Sequence, residues 1–480
     1  DCTPFFPGQQ QFCIRDSHYT LEERHNDQKQ VVLSSVLTGR QSEHLKTAGG
    51  IEARYTKGLH YKTVADLLGA DRFSDIDQYT ENYSPINPNI QYNDLNSAST
   101  IKKKDDVFGY NYTIDVLNSN AWFQNNYSYN NWDYYYAAKV DYTRFQREGM
   151  MRNGRSPNNS YGRGQVHSFL THTVKAGATW KPSGNHLVSA NLLAATNPPL
   201  PNNAYISPRI KDDAVKGLGT EAVTHTDLNY TYNSRIIRGR VSVYYTRFAD
   251  QVEIDNFYND EMRTFVNSVL TGVDKVHKGL ELGLSAKLTS ELTATVLGSV
   301  GDFYYDSRPT ATISVENGMQ ADVSRTIYLK NYKVSGTPQT AFNVELSYAH
   351  PAYWFFDLGA SYYGNNYIDM TPIRRTAEIL QFNANSYADY MAMAHKITDQ
   401  EKYQGGIMVD ASIGKSIRLD NGNLININLQ VNNLLNNLKM KTGGYEQGRF
   451  DYVNYNVDKY PPYYYYAQGL NAFLMVAYRF

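Results

Sequence analysis

Charge is scarce in this chain, and so is cysteine. Only 19% of the residues are charged, and 46 Lys and Arg balance 47 Asp and Glu to a net charge of −1. A nucleic-acid binder would carry a basic field, and none is present. No run of 18 apolar residues occurs, which excludes a bundle of membrane helices. The two cysteines, Cys2 and Cys13, are the only ones. In a secreted protein such close spacing suggests a local disulfide worth about 3 kcal/mol, and in a cytosolic one two free thiols. The first residues, Asp1 and Cys2 onward, have no basic n-region or apolar h-region, so no signal peptide is expected there. Enzyme motifs are missing as well: there is no HExxH, P-loop, Gly-x-Ser-x-Gly or paired CxxC. His167 and His172 lie five apart on an expected strand, so they face opposite sides and cannot share a metal. No catalytic residue and no cofactor is expected.

What the chain has is tyrosine, 42 residues of it beside 19 Phe and 4 Trp. Aromatic content this high excludes disorder. The dominant pattern is strict alternation, the mark of strands with two unlike faces. Ile425, Ile427, Leu429 and Val431 alternate with Asn426, Asn428, Gln430 and Asn432. Phe342, Val344, Leu346 and Tyr348 oppose Asn343, Glu345 and Ser347, and Trp354, Phe356, Leu358 and Tyr362 oppose Asp357, Gly359 and Ser361. The polar face suits water rather than a dry core. Strand length favours a membrane: the runs reach 11 to 15 residues, where soluble strands average about 5–6. Aromatics such as Trp132, Tyr134 and Tyr136 gather at strand ends, as in interfacial girdles.

Fifteen strands are predicted, at 27–38, 42–55, 117–128, 132–145, 163–180, 184–194, 220–232, 236–248, 264–287, 290–305, 336–349, 353–367, 404–418, 421–434 and 468–480. The gaps between them alternate. Short ones fall at 39–41, 129–131, 181–183, 233–235, 288–289, 350–352 and 419–420. Long ones fall at 56–116, 146–162, 195–219, 249–263, 306–335, 368–403 and 435–467. This sorting predicts an all-β transmembrane antiparallel barrel with short periplasmic turns and long external loops. Single-chain barrels of bacteria close with an even number of strands, so 15 points to the C-terminal part of a larger barrel. Residues 1–26 are expected to form an external loop, and 27–480 the barrel wall.

On the last strand Leu474, Val476, Tyr478 and Phe480 share one face, and a final strand ending in Phe suits an insertion signal. Tyr463, Tyr464, Tyr465 and Tyr466 lie in the last long loop, with Tyr445 nearby. They are candidates for stacking on a ligand, and loop packing is the ordinary alternative. Asp71, Asp75 and Asp77 carry Ca²⁺-type donors, but a solvated external loop is the favoured reading. The run Ile101-Lys102-Lys103-Lys104-Asp105-Asp106 suits a solvated loop first and a partner surface as the alternative.

The stretch Leu429-Gln430-Val431-Asn432-Asn433-Leu434-Leu435-Asn436, with the terminal Ala477-Tyr478-Arg479-Phe480, resembles the end of TonB-dependent outer-membrane receptors. Three further segments resemble the receptors of Bacteroidota that carry a carboxypeptidase-regulatory-like domain. They are His60-Tyr61-Lys62-Thr63, Arg152-Asn153-Gly154-Arg155-Ser156-Pro157, and Asn203-Ala204-Tyr205-Ile206-Ser207-Pro208-Arg209. The resemblance implies strands 8–22 of a 22-strand barrel in the bacterial outer membrane. It implies active uptake of a nutrient or chelate. It also implies partners: the N-terminal remainder of the barrel with its plug domain and TonB box, and through these the TonB motor. A surface lipoprotein lid or other outer-membrane subunits are further partners of this kind, besides lipid. A non-transporting structural subunit of an outer-membrane complex is the alternative.

Overall fold

The computed structural model describes residues 16–17, 19–77, 79–80, 87–259, 264–315 and 322–480. Fifteen long strands make up the wall. They are β1 (Leu21–Arg40), β2 (Leu45–Asp66), β3 (Val107–Tyr129), β4 (Trp132–Gly149), β5 (Gly162–Ser183), β6 (His186–Asn197), β7 (Glu221–Asn233) and β8 (Ile237–Asn259). They continue as β9 (Thr264–Lys287), β10 (Leu292–Tyr305), β11 (Thr340–His350), β12 (Trp354–Gly364), β13 (Gly406–Arg418), β14 (Leu424–Asn432) and β15 (Asn471–Arg479). Each pairs antiparallel with the next, from β1–β2 through β14–β15. No register among the described residues pairs β1 with β15. None of the described helices is long and apolar enough to cross a membrane. The wall crosses with strands.

Register turns fifteen alternating patterns into two continuous faces, because directly opposed residues of an antiparallel pair project to the same side. Tyr348 opposes Phe356, which opposes Ile413, then Leu429, then Leu474. One step along, Ser347, Asp357, Ser412, Gln430 and Phe473 follow the same path on the other face. On β14 and β15, Ile425, Ile427 and Leu429 meet Tyr478, Val476 and Leu474. A slip of one residue would put this apolar set into the lumen, so register is strongly specified. Aromatics cluster beside the short turns: Trp132 stacks on Trp180 at 6.1 Å, and Trp354 on Phe356 at 6.2 Å. The inner face is tied by polar pairs such as Tyr135 to Asn191 at 2.9 Å and Asn191 to Asp227 at 2.8 Å.

The alternation of short and long connections is as predicted except between β8 and β9, which only 260–263 separate. Short turns occupy 41–44, 130–131, 184–185, 234–236, 288–291, 351–353 and 419–423. In the last, Gly422 takes a φ of 86°, which a side chain would strain.

Four strand ends differ from expectation. β1 begins at Leu21, inside the segment assigned to an external loop. Both ends of the 56–116 connection, 56–66 and 107–116, are ladder, because β2 runs to Asp66 and β3 starts at Val107. The connection at 249–263 is a tall hairpin, with β8 reaching Asn259 and β9 starting at Thr264. Outside the lipid the backbone keeps pairing while neither face needs to be apolar. Stretches such as Lys57-Gly58-Leu59-His60 therefore lose alternation without losing the strand. The upper half of β9 is covered by Thr310–Val315, where β10 has already turned away. Leu270, Val273, Ala311, Ile327 and Leu329 form a buried core there.

The register makes a direct test of the two faces. Leu429→Arg, on the lipid face, is expected to destabilise the folded barrel by about 2–4 kcal/mol in urea titrations in bilayers, while Gln430→Arg on the inner face changes it little.

Candidate ligand vestibule

The external connections lock into two groups that roof the wall. In the first group, Asp75 is buried and its carboxylate accepts from Asn93 Nδ2 at 2.7 Å and from the Gly109 N–H at 3.0 Å. Burial raises its pKa, against the lowering effect of those donors. Asp77 pairs with Arg155 at 2.9 Å. Asp75 and Asp77 of the Ca²⁺ candidate are thus spent on protein partners, and Asp71 also has a partner. Among the described residues no group of three potential metal ligands comes together. Gly154 lies so close to the neighbouring loop that a Cβ would fall 1.8 Å from the Asn89 carbonyl oxygen. Arg147 is fully buried and donates to the Pro208 carbonyl at 2.7 Å and the Ser160 carbonyl at 3.2 Å, behind a core of Tyr110, Tyr112, Phe145 and Tyr205.

The second group joins 306–339, 365–405 and 433–470. Its centre is Glu446, buried between Arg374 and Arg375. Arg375 Nη2 donates to Glu446 Oε1 at 2.9 Å and its Nη1 bonds the other oxygen, while Arg374 lies 3.3 Å away. The Thr371 N–H also donates to Glu446 at 3.0 Å. The two guanidiniums reach on to the carbonyls of Ile397 and Thr398, at the end of the helix Tyr387–Thr398. One carboxylate therefore ties the two loops, with its lone pairs fully used.

The tyrosine candidates divide. Lys441–Tyr445 and Tyr463–Tyr466 pair as a two-stranded hairpin. Tyr464 faces one way: its hydroxyl donates to Glu401 Oε2 at 2.6 Å and Lys441 Nζ lies 3.5 Å over its ring. Tyr466 lies on the same side, 6.5 Å from Tyr464. Tyr445, Tyr463 and Tyr465 face the other way, 40%, 50% and 59% exposed, with Tyr445 at 5.3 Å from Tyr463 and 6.3 Å from Tyr465. Packing claims Tyr464, Tyr466 on its side is exposed, and Tyr445, Tyr463 and Tyr465 together form a solvent-facing aromatic surface on the other.

A family model described as "TonB dependent receptor-like, beta-barrel" matches residues 7–434. The chain belongs to this family. As a TonB-dependent receptor barrel it is a protein of the bacterial outer membrane. Among solved structures the receptor barrel is similar to the copper transporter OprC, with 12% identity, TM-score 0.59, and 93% of this chain and 55% of that one covered. It is also similar to the siderophore receptor PiuA from Acinetobacter baumannii (14%, TM-score 0.57, 94% and 56%). A third is the ferric-catecholate import receptor Fiu from E. coli K12 (13%, TM-score 0.54, 94% and 54%). At these identities the likeness is one of fold. The receptor barrel spans about half the length of each of these structures. No curated protein matches it.

The remaining predicted sites fall in different places. Cys2 and Cys13 lie outside the described residues. Leu474, Val476, Tyr478 and Phe480 project outward from the terminal segment and are exposed. Lys102 pairs with Phe73 in a short ladder, while the rest of its charge run caps a turn, where Asp106 accepts from the Lys103 N–H at 2.7 Å.

Glu446, Arg374 and Arg375 escaped sequence reasoning because their partners are about 70 residues apart and no spacing marks them. Glu253 and Asp255, high on β8, and Asp369 were missed for the same reason. Desolvation by the surrounding protein, together with the charges of Glu253 and Asp369, lifts Asp255 to about 6. No described residue donates a hydrogen bond to it.

Two outcomes test the vestibule of the receptor barrel. Glu446→Ala leaves two buried guanidiniums unpaired and is expected to cost about 3–5 kcal/mol, read as new protease cleavage within 365–405. Asp255 has a raised folded-state pKa, so its charge opposes the hairpin above pH about 6 and the opposition fades as pH falls through that value. Asp255→Asn is expected to slow amide exchange of residues 251–258 at about pH 7.5 and to leave it unchanged at about pH 4.

Proposed function

We propose that this chain forms the wall and external vestibule of a TonB-dependent receptor that takes up a nutrient or chelate by active transport. One observation carries the proposal: loops interlocked by buried ion pairs present solvent-facing aromatics, Tyr445, Tyr463 and Tyr465, above a water-suited inner face. Large, rigid rings hold a ligand at low entropy cost. The structures this chain resembles, a copper transporter, a siderophore receptor and a ferric-catecholate import receptor, are in keeping with uptake.

The outer edges of β1 and β15 have no described partner, and unpaired backbone is costly in lipid. A companion N-terminal portion would complete the barrel and bring the plug and TonB box. The motor would then pull on that plug after external loops capture the ligand. The segments around Arg152 and Asn203 support membership of the Bacteroidota subfamily. The outward Leu474, Val476, Tyr478 and Phe480 would serve as the insertion signal, and the Lys102–Lys104 run as a seat for a lipoprotein lid.

Uptake assays with a panel of labelled iron chelates, cobalamin, glycans and peptides test this. Deleting the chain is expected to abolish uptake of one of them to the same extent as deleting the TonB motor. Unchanged uptake across the panel, with loss of other outer-membrane proteins from the membrane, would assign the chain a structural role instead.

A further inference from the structure

The aromatic surface of the last loop carries a carboxylate. Asp369 forms a parallel bridge with Tyr445: its N–H donates to the Gly444 carbonyl at 3.0 Å, and its carbonyl accepts from the Glu446 N–H at 2.8 Å. Paired residues in a ladder project to the same side, so the Asp369 carboxylate and the Tyr445 ring share a face. Tyr445 is in turn opposite Tyr463, and Tyr465 follows two residues on. Asp369, Tyr445, Tyr463 and Tyr465 thus occupy one side of a three-strand patch.

The cations of this region are on the other side. Lys441 sits over Tyr464 and pairs with Glu401 at 2.7 Å. Arg374 and Arg375 are consumed by Glu446, which follows Tyr445 and projects oppositely. Asp369 accepts one hydrogen bond, from Ser335 Oγ at 2.9 Å, and the residue is exposed, while desolvation by the surrounding protein raises the pKa of its carboxyl. Glu253 and Asp255 lie near enough to affect titration here, and Lys275, the cation beside them, is paired with Glu253. Three carboxylates against one ammonium leave a formal −2 (−3 plus +1).

We infer that the face shared by Asp369, Tyr445, Tyr463 and Tyr465 receives a guanidinium group carried by a small ligand, such as the arginine of a short peptide. This rests on the reading that these exposed rings meet the transported ligand, and it names the ligand's chemistry. Ring faces are negative and attract a cation. A planar guanidinium can stack on Tyr445 while its N–H edge donates to the Asp369 carboxylate, and its charge strengthens both contacts beyond what a neutral ureido group makes. The same surplus of negative charge repels an anionic chelate.

The test uses the full-length receptor in outer-membrane vesicles, with receptor-free vesicles as background. The probes are a fluorescent tetra-arginine peptide and its citrulline counterpart, equal in size but uncharged. The arginine peptide is expected to bind about tenfold more tightly than the citrulline peptide. Asp369→Asn and Tyr445→Ala should each erase that preference, Asp369→Glu should keep it, and Tyr466→Ala on the opposite side should leave it intact. Equal binding of the two peptides to the unaltered receptor overturns the inference, and so does a preference that survives Asp369→Asn. Binding needs no motor, so an arginine preference without any uptake would count against transport alone. Uptake without the preference would overturn only this inference.

Discussion

A backbone amide or carbonyl in the hydrocarbon of a membrane has no water to bond, and each one left unsatisfied costs several kcal/mol. Every main feature of this chain follows from meeting that demand with strands. Consecutive antiparallel pairing from β1 to β15 satisfies the wall's backbone between neighbours. Once the backbone is paired in that way, side chains must alternate between lipid and lumen. Register then has to keep Ile425, Ile427 and Leu429 level with Tyr478, Val476 and Leu474. The tyrosine-rich, charge-poor composition is the chemical residue of this arrangement.

Above the lipid the constraint changes character. Backbone pairing continues in β2, β3, β8 and β9, but solvent no longer selects one face. Stability there comes from side chains that each tie several loops at once. Arg147 closes the first group and Glu446 the second, both buried and both bonded to partners far away in sequence. A buried charge is tolerable only when its hydrogen-bonding capacity is filled, which gives these loops one arrangement rather than many. That rigidity is what lets a surface such as Asp369, Tyr445, Tyr463 and Tyr465 hold a fixed geometry.

The wall was almost entirely legible beforehand. Strand count and the outward set Leu474, Val476, Tyr478 and Phe480 follow from a period of two residues, and the sorting of short turns from long loops follows from connection length. The errors were confined to strand ends outside the membrane, at Leu21, Asp66, Val107 and Asn259. The vestibule was legible only in part. The tyrosine cluster is visible in composition, but its division into Tyr464 and Tyr466 on one side and Tyr445, Tyr463 and Tyr465 on the other depends on the pairing of two segments about 20 residues apart. The acidic triplet at 71–77 suggested a cation site and proved to be structural, with Asp77 held by Arg155, a partner 78 residues away.

By itself, the sequence determined that this is a membrane barrel wall with short turns on one side and long loops on the other. Alternation and connection length are local properties, imposed residue by residue by lipid on one face and water on the other. Tertiary structure alone decided which loops interlock, where Glu446 is neutralised, and which tyrosines stand beside Asp369. Those outcomes depend on charges and rings brought together from segments tens of residues apart, and no local periodicity encodes such a meeting.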